Sequence, residues 1–432
     1  MSRLVYSLCF YLAQPLVWLR LAWRARQQPE YLQHLGERYG LYPARPAGRL
    51  LWLHVVSVGE TRAAEPLIKA LLARYPEHGL LLTHMTPTGR AVGTELIAKL
   101  GARLHQAYLP YDLPDASARF FAHFRPEFGL LMETELWPNL IAAAKARGVP
   151  LALVNARLSA RSLHGYRRFL PLIGPAVAAL DLVAAQTAAD AERLSELGAH
   201  TPHVCGNIKF DVTPPADKLE LGRQWRATLD SRPIWLCAST REGEEAPLLD
   251  ALMLHAPSDV LLLLVPRHPQ RFDEVATAIE ARGLPFKRRS SGDFPDAGTR
   301  VWLGDSMGEM AAYYALADLA LIGGSLQPLG GQNLIEAAAC GCPVLVGPHT
   351  FNFAQATEDA LACGAARRVE DAEAAAQAAS ALLAPDGSGQ TALAAMRQAA
   401  VEFSAAHRGA TARTLELIAE RLTSPRPDAP GK

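Results

Sequence analysis

The sequence predicts an α/β chain of two doubly wound, parallel-sheet domains that face a central cleft. Three observations lead there. At 432 residues the chain exceeds one ordinary hydrophobic core. From residue 50 onward, short apolar runs without polar alternation are separated by helical patterns, which is how parallel strands covered on both faces read. The pattern then restarts after a polar, proline-containing stretch, Asp211-Val212-Thr213-Pro214-Pro215. The boundaries drawn from this are an N-terminal segment, 1–28, a first domain, 29–211, and a second, 212–432, whose final helices are free to pack back on the first.

In the first domain the runs 50–58, 80–85, 107–110, 128–133 and 151–155 read as buried strands, with 181–185 and 203–205 completing the sheet. Helices are expected between them, among them 60–74, 89–100 and 138–147. The second series is 234–238, 260–265, 301–303, 319–322 and 344–346. The tail from 390 to 422 is alanine-rich and reads as helix. Ligands of such sheets bind beyond the carboxyl ends of the strands, so two sheets of this kind put the site in the cleft.

The first segment is of another kind. Residues 4–19 are apolar except for Ser7, Gln14 and Pro15; Arg3 precedes them, Arg20, Arg24 and Arg26 follow, and no acid appears before Glu30. A cleaved signal peptide would end in a small-residue site, and a core helix would leave the one-sided cations without use. A short membrane anchor with its arginines toward anionic lipid accounts for both features, and sets the catalytic body on the cytoplasmic side.

Lys+Arg and Asp+Glu are equal at 43 each, so no basic excess calls for nucleic acid. The six cysteines form no C-x-x-C pair and sit mostly in apolar runs, as reduced, buried thiols do. The chain holds no Walker A sequence, D-x-D pair, H-E-x-x-H or G-x-S-x-G, which disfavours metal-assisted and serine-nucleophile chemistry. No cofactor is called for.

The chemistry sits at the strand ends. Ser57-Val58-Gly59-Glu60-Thr61 turns strand into helix, and Glu60 there is either a general base or a partner of the helix dipole. Glu133 and Glu135 flank Thr134 before a proline-started helix, as a polar pocket or as a cap. Thr86-Pro87-Thr88-Gly89 ends the second strand likewise. In the second half the strand ends are Ser239-Thr240-Arg241, Pro266-Arg267-His268, Gly304 to Met310, Gly323-Gly324-Ser325 and Gly330 to Glu336. Glycines at such ends let a phosphate approach backbone N–H groups, and Glu336 could accept from ribose hydroxyls. Together they favour a nucleotide site.

These segments resemble, as a series, the 3-deoxy-D-manno-octulosonic acid (Kdo) transferases of Gram-negative bacteria. The resemblance runs along nearly the whole chain, through SVGET at 57–61, TPTG at 86–89, METELWPN at 132–139, NARLS at 155–159 and GNIKFD at 206–211. It continues through ASTREGEE at 238–245, PRHPQRF at 266–272, GDSMGEM at 304–310 and GPHTFNF at 347–353. The resemblance implies a GT-B fold and inverting transfer of Kdo from CMP-Kdo to a tetraacylated, phosphorylated lipid A precursor. It places the work at the cytoplasmic face of the bacterial inner membrane, with Glu60 as base. It implies nucleotide contacts at Arg267, His268, Gly308, Glu309, Met310, Asn333, Leu334, Ile335 and Glu336, with Arg241 as a phosphate partner. Arg62, Thr86, Glu133 and Glu135 are the candidates for the acceptor pocket, and no metal is expected. One departure is Gln332, where many relatives carry histidine. The other readings are a different GT-B enzyme, such as a UDP-sugar transferase or a sugar-nucleotide 2-epimerase, and a non-catalytic membrane protein that binds nucleotide or lipid.

Overall fold

The computed structural model describes residues 1–229, 231–384 and 386–423. They form two compact units: one of Met1–Asp211 together with the described chain from Arg408 onward, the other of Val212–His407.

The first unit is built on seven parallel strands, β1 (Arg49–His54), β2 (His78–His84), β3 (Leu104–Tyr108), β4 (Phe128–Met132), β5 (Leu151–Ala156), β6 (Leu182–Ala185) and β7 (His203–Val204), in the order β3-β2-β1-β4-β5-β6-β7. Leu50, Trp52 and Leu53 of β1 are fully buried, and both faces of the sheet carry a closed apolar cluster. On one face Trp52 meets Phe120 edge-on with ring centroids 4.9 Å apart. This explains why the strands show no polar alternation: neither face meets water.

The second unit repeats the plan with β8 (Ile234–Thr240), β9 (Leu261–Pro266), β10 (Phe286–Arg288), β11 (Val301–Leu303), β12 (Leu319–Ile322), β13 (Val344–Val346) and β14 (Ala366–Arg368), ordered β10-β11-β9-β8-β12-β13-β14 and all parallel. The strand order reverses between β1 and β4 in the first sheet and between β8 and β12 in the second, and at such a reversal the flanking loops part to leave a crevice.

Several expectations need correction. Strands β10 and β14 have no counterpart in the sequence reading. The single helix expected over 60–74 is two, Val58–Ala63 and Glu65–Arg74, because Pro66 lacks the N–H that would continue the first. The helical tail is likewise two helices, Gln390–His407 and Ala410–Thr423, parted at Gly409 in a left-handed conformation (φ 91°). The second of these packs in the first unit, where Ala410 and Ile418 are fully buried against the sheet. Asp211 holds its start, accepting from the N–H groups of Gly409 and Thr411. The cysteines were expected to be buried, but only Cys205, Cys237 and Cys342 are; Cys340 is half-buried, and Cys9 and Cys363 are exposed.

The N-terminal segment is a pair of helices, Arg3–Leu12 and Gln14–Ala25, bent by 49° where Pro15 begins the second. Among the described residues no single helix is long and apolar enough to cross a membrane. The pair is not a core element either. Leu4 is 77% exposed, Leu12 71% and Leu16 68%, while polar side chains tie it down: Ser7 to Asn139, Tyr11 to Asp115, and Gln14 to Tyr39.

Candidate active site

In the first unit the register aligns His54 of β1 with Leu131 of β4, so the loops after these two strands leave the sheet side by side. The loop after β1 carries Glu60. Ser57 caps the helix Val58–Ala63 and accepts from the Glu60 N–H at 3.4 Å, which is half of a capping box. The carboxylate itself turns back. It accepts from the Val56 N–H at 2.9 Å and from the Ser57 hydroxyl at 3.0 Å. Glu60 thus sits at the helix start, as the sequence led one to expect, with its carboxylate fixed by two donors. Burial raises its pKa; the two hydrogen bonds oppose that rise, and the nearby charge of Glu133 adds to it.

Glu133 follows β4 in a left-handed backbone conformation (φ 60°), which for a side chain with a Cβ stores roughly 1–3 kcal/mol of strain. Its carboxylate is paired with Lys209 Nζ at 3.0 Å. Glu135, two residues on, accepts from the Trp137 indole N–H at 2.8 Å. Burial and then the charge of Glu60 raise its pKa to about 7. Three carboxylates are thus close enough to feel one another, with Lys209 as their cation.

The other two candidates of this unit stand apart from that group. Thr86 is a cap: its hydroxyl oxygen accepts from the Gly89 N–H at 3.1 Å and donates to the Val56 carbonyl at 3.2 Å, tying the end of β2 to the turn that leads to Glu60. Arg62 is exposed and faces Glu95 at 3.4 Å, on the surface rather than beside Glu60. Among the described residues no three His, Cys, Asp or Glu side chains converge to hold a metal ion.

In the second unit the crevice lies between the ends of β8 and β12. Ser239 is left-handed (φ 58°), and a register shift follows Ala238. Gly323 passes so close that a Cβ on it would lie 2.3 Å from the Ser239 carbonyl oxygen, so only glycine fits. Glu244, nearly fully buried, fastens these loops: it accepts from the N–H groups of Arg241 (2.8 Å), Gly324 (2.7 Å) and Leu326 (3.1 Å). Arg271 is fixed by both oxygens of Glu245 at 2.7 and 3.1 Å. Arg241, Arg267 and Arg271 all bear on His268, whose pKa is lowered by burial first and then by these three cations. A cluster of like charges around a half-protonatable ring is a place where an anion lowers the energy.

The remaining candidates divide by what their side chains touch. Glu309 is engaged by Arg289 at 3.0 Å and Ser306 at 2.6 Å, beside a left-handed Gly308 (φ 77°) and half-buried Met310. Asn333 accepts from the Ile335 N–H and donates to Glu336, each at 3.1 Å. Leu334 and Ile335 are core side chains, so only their main chain is open to a ligand. Gln332 lies half-buried with its amide nitrogen near Gly324. The sequence reading passed over Lys209, His54, Glu244 and Arg271. Each stands within or beside a quoted motif, but only the contacts above separate it from its neighbours.

Comparison with known proteins places the chain in a family. A family model described as 3-deoxy-D-manno-octulosonic-acid transferase (kdotransferase) matches residues 33–212. The 3-deoxy-D-manno-octulosonic acid transferase of Bordetella pertussis is 49% identical over 436 residues, covering 98% of this chain and 100% of the relative. That of Haemophilus influenzae is 39% identical, covering 82% of this chain and 84% of its own. Among solved structures, a glycosyltransferase from Rickettsia africae superposes with a TM-score of 0.55 at 14% identity, over 88% of this chain and 100% of that one, a likeness of fold. The two parallel-sheet units resemble those of GT-B glycosyltransferases, and the chain belongs to the 3-deoxy-D-manno-octulosonic acid (Kdo) transferase family, as a glycosyltransferase that transfers Kdo.

Proposed function

We propose that the protein moves Kdo from CMP-Kdo to a tetraacylated, phosphorylated glucosamine disaccharide, the lipid A precursor, in lipopolysaccharide inner-core biosynthesis. Transfer inverts the anomeric carbon and uses Glu60 as general base, without a metal. The observation that carries this reading is the Glu60 carboxylate in the turn after β1, held by two donors in a half-buried acidic group. As the acceptor hydroxyl bonds to the anomeric carbon, its proton goes to Glu60. CMP departs with the electron pair of the broken glycosidic bond on its phosphate oxygen. A base positioned this way contributes on the order of 10²–10⁴ in rate, and the raised pKa makes it a stronger proton acceptor than an exposed carboxylate.

The cytidylate meets Arg241, Arg267 and His268, whose mutual repulsion its phosphate relieves. Gly308, Glu309, Met310, Asn333, Leu334, Ile335 and Glu336 complete its seat, Leu334 and Ile335 through their main chain. Cations and backbone N–H groups handle the leaving charge, a role that D-x-D enzymes give to a metal. On the acceptor side Glu133 and Glu135 bound the pocket, Thr86 sets the turn beneath it, and Arg62 reaches for a phosphate of the lipid. The exposed leucines of the N-terminal pair lie in the headgroup layer of the inner membrane's cytoplasmic leaflet, and Arg3, Arg20, Arg24 and Arg26 meet its anionic lipid.

Purified full-length protein, given CMP-Kdo generated in place and the lipid A precursor, is expected to yield a Kdo-extended lipid by mass spectrometry, with turnover unchanged by EDTA. Glu60→Gln should keep its fold and its affinity for CMP while transfer falls about 10²–10⁴-fold. Wild-type turnover in that variant removes Glu60 as the base; no extended lipid from the wild type removes the acceptor.

A further inference from the structure

One titratable group beside the acidic cluster has no part in the transfer just described. His54, the last residue of β1, is fully buried. Its Nδ1 lies 3.0 Å from the Thr83 hydroxyl and 3.1 Å from the Thr83 carbonyl oxygen. Its Nε2 has no hydrogen-bond partner and is aimed at Glu135, 3.9 Å from Oε2. A buried ring nitrogen without a partner, pointed into a group of carboxylates, is costly unless it is used.

The chemistry of Thr83 limits what His54 can be. Its hydroxyl oxygen already accepts from the Trp52 indole at 2.8 Å, and its carbonyl already accepts from the Val55 N–H at 2.9 Å. Burial keeps the imidazole neutral, with a pKa down to about 3, so one ring nitrogen carries hydrogen and the other accepts. If the Thr83 hydroxyl donates to Nδ1, then Nε2–H faces an ionised Glu135. If Nδ1–H donates to the Thr83 carbonyl, the bare Nε2 faces a protonated Glu135. The tautomer of His54 and the proton on Glu135 are therefore tied together.

We propose that His54 is a positioning residue for transfer: Thr83 fixes its Nδ1, its Nε2 engages Glu135, and this chain decides which carboxylate is protonated while Glu60 receives the acceptor's proton. The inference rests on the reading of Glu60 as base. His54 stays neutral and keeps its hydrogen on Nε2, where it steadies the ionised form of Glu135; the proton that Glu60 takes from the acceptor passes to solvent when the product leaves. The 3.9 Å gap closes by a small rotation or through one water, as such contacts do when a substrate arrives. The groups that face Glu135 are Glu60, Glu133 with its partner Lys209, Tyr166 and the Trp137 N–H; His84 is the ionisable neighbour of His54, and Arg90 bears on His84. A pKa of Glu135 near 7 is what a site that trades one proton between carboxylates requires.

Trp137 donates to Glu135, so its fluorescence reports that carboxylate. The difference titration between the full-length protein and its Trp137→Phe variant is expected to show a midpoint near 7. The charge-assisted bond to ionised Glu135 is the stronger of the two forms, so His54→Leu should raise the midpoint by about one pH unit. His54→Gln, which keeps an amide at the same depth, should restore most of it. The pH profile of kcat should move with the midpoint, with the KM for CMP-Kdo little changed. In a Glu135→Gln background, His54→Leu should leave the profile where it was. An unmoved midpoint in His54→Leu, or an equal shift in the Glu135→Gln background, overturns the proposal. Failure of the base reading would appear separately, as transfer that survives Glu60→Gln, because the Trp137 midpoint is read without turnover.

Discussion

Three backbone N–H groups, those of Arg241, Gly324 and Leu326, end on the carboxylate of Glu244. With the carboxylate gone they are left without an acceptor, each at a cost of about 1–3 kcal/mol. Glu244→Ala should lower the unfolding free energy by about 3 kcal/mol or more in urea titration, and weaken CMP binding because Arg241 loses its anchor. His268 offers a reading of the opposite sign. Burial and then three arginines hold its pKa down, so a bound phosphate should raise it, and an imidazole resonance followed by NMR should titrate at higher pH with CMP than without. An unmoved resonance would place the phosphate elsewhere. At this scale the residue types were legible and their jobs only in part. SVGET and METELWPN mark Glu60, Glu133 and Glu135, but the left-handed backbone of Glu133 and the buried Nε2 of His54 depend on neighbours tens of residues away in sequence.

Strands and turns were easier to foresee where burial is complete. Strand β11 (Val301–Leu303) and strand β12 (Leu319–Ile322) match their apolar runs residue for residue, because only apolar side chains survive there. Strand β10 (Phe286–Arg288) and strand β14 (Ala366–Arg368) are sheet edges of three residues with arginines, and such segments carry no apolar signal. Helix breaks were missed where the breaker stands inside a good periodic pattern, as Pro66 and Gly409 do. The close approach at Gly323 gives a test of the element. Gly323→Ala drives a methyl to 2.3 Å from the Ser239 oxygen, which is backbone and cannot swing aside. The ends of β8 and β12 should separate, with a loss of a few kcal/mol in thermal or urea unfolding and of CMP affinity together. An unchanged stability would mean that the two strand ends yield freely.

Taken whole, the molecule is electrically balanced, with 43 cations and 43 anions, so the proposed binding to a bilayer rests on the N-terminal pair. Replacing Leu4, Leu12 and Leu16 with serine should abolish sedimentation with anionic vesicles while leaving the folded core untouched, since all three are exposed. The buried histidines set the acid limit. His54 and His84 are both held down to about 3, whereas an unfolded chain takes up these protons near 6.5. Between those values the unfolded state binds more protons, so unfolding free energy should fall as pH drops from about 6.5 toward 3, by several kcal/mol in all. A His84→Phe variant should show a shallower slope.

The helix Ala410–Thr423 joins the first unit, although nearly two hundred residues of another unit separate it from Asp211. The second unit is thus an insertion, tethered at both of its ends. On a ribosome that emits the N-terminus first, it can finish folding while the first unit still lacks its closing helix. Ala410 and Ile418, fully buried in that helix, complete a core whose other buried members lie between residues 51 and 208. Emergence of this helix from the exit tunnel, and not synthesis of the sheet, then marks the moment at which the lobe carrying Glu60 becomes whole.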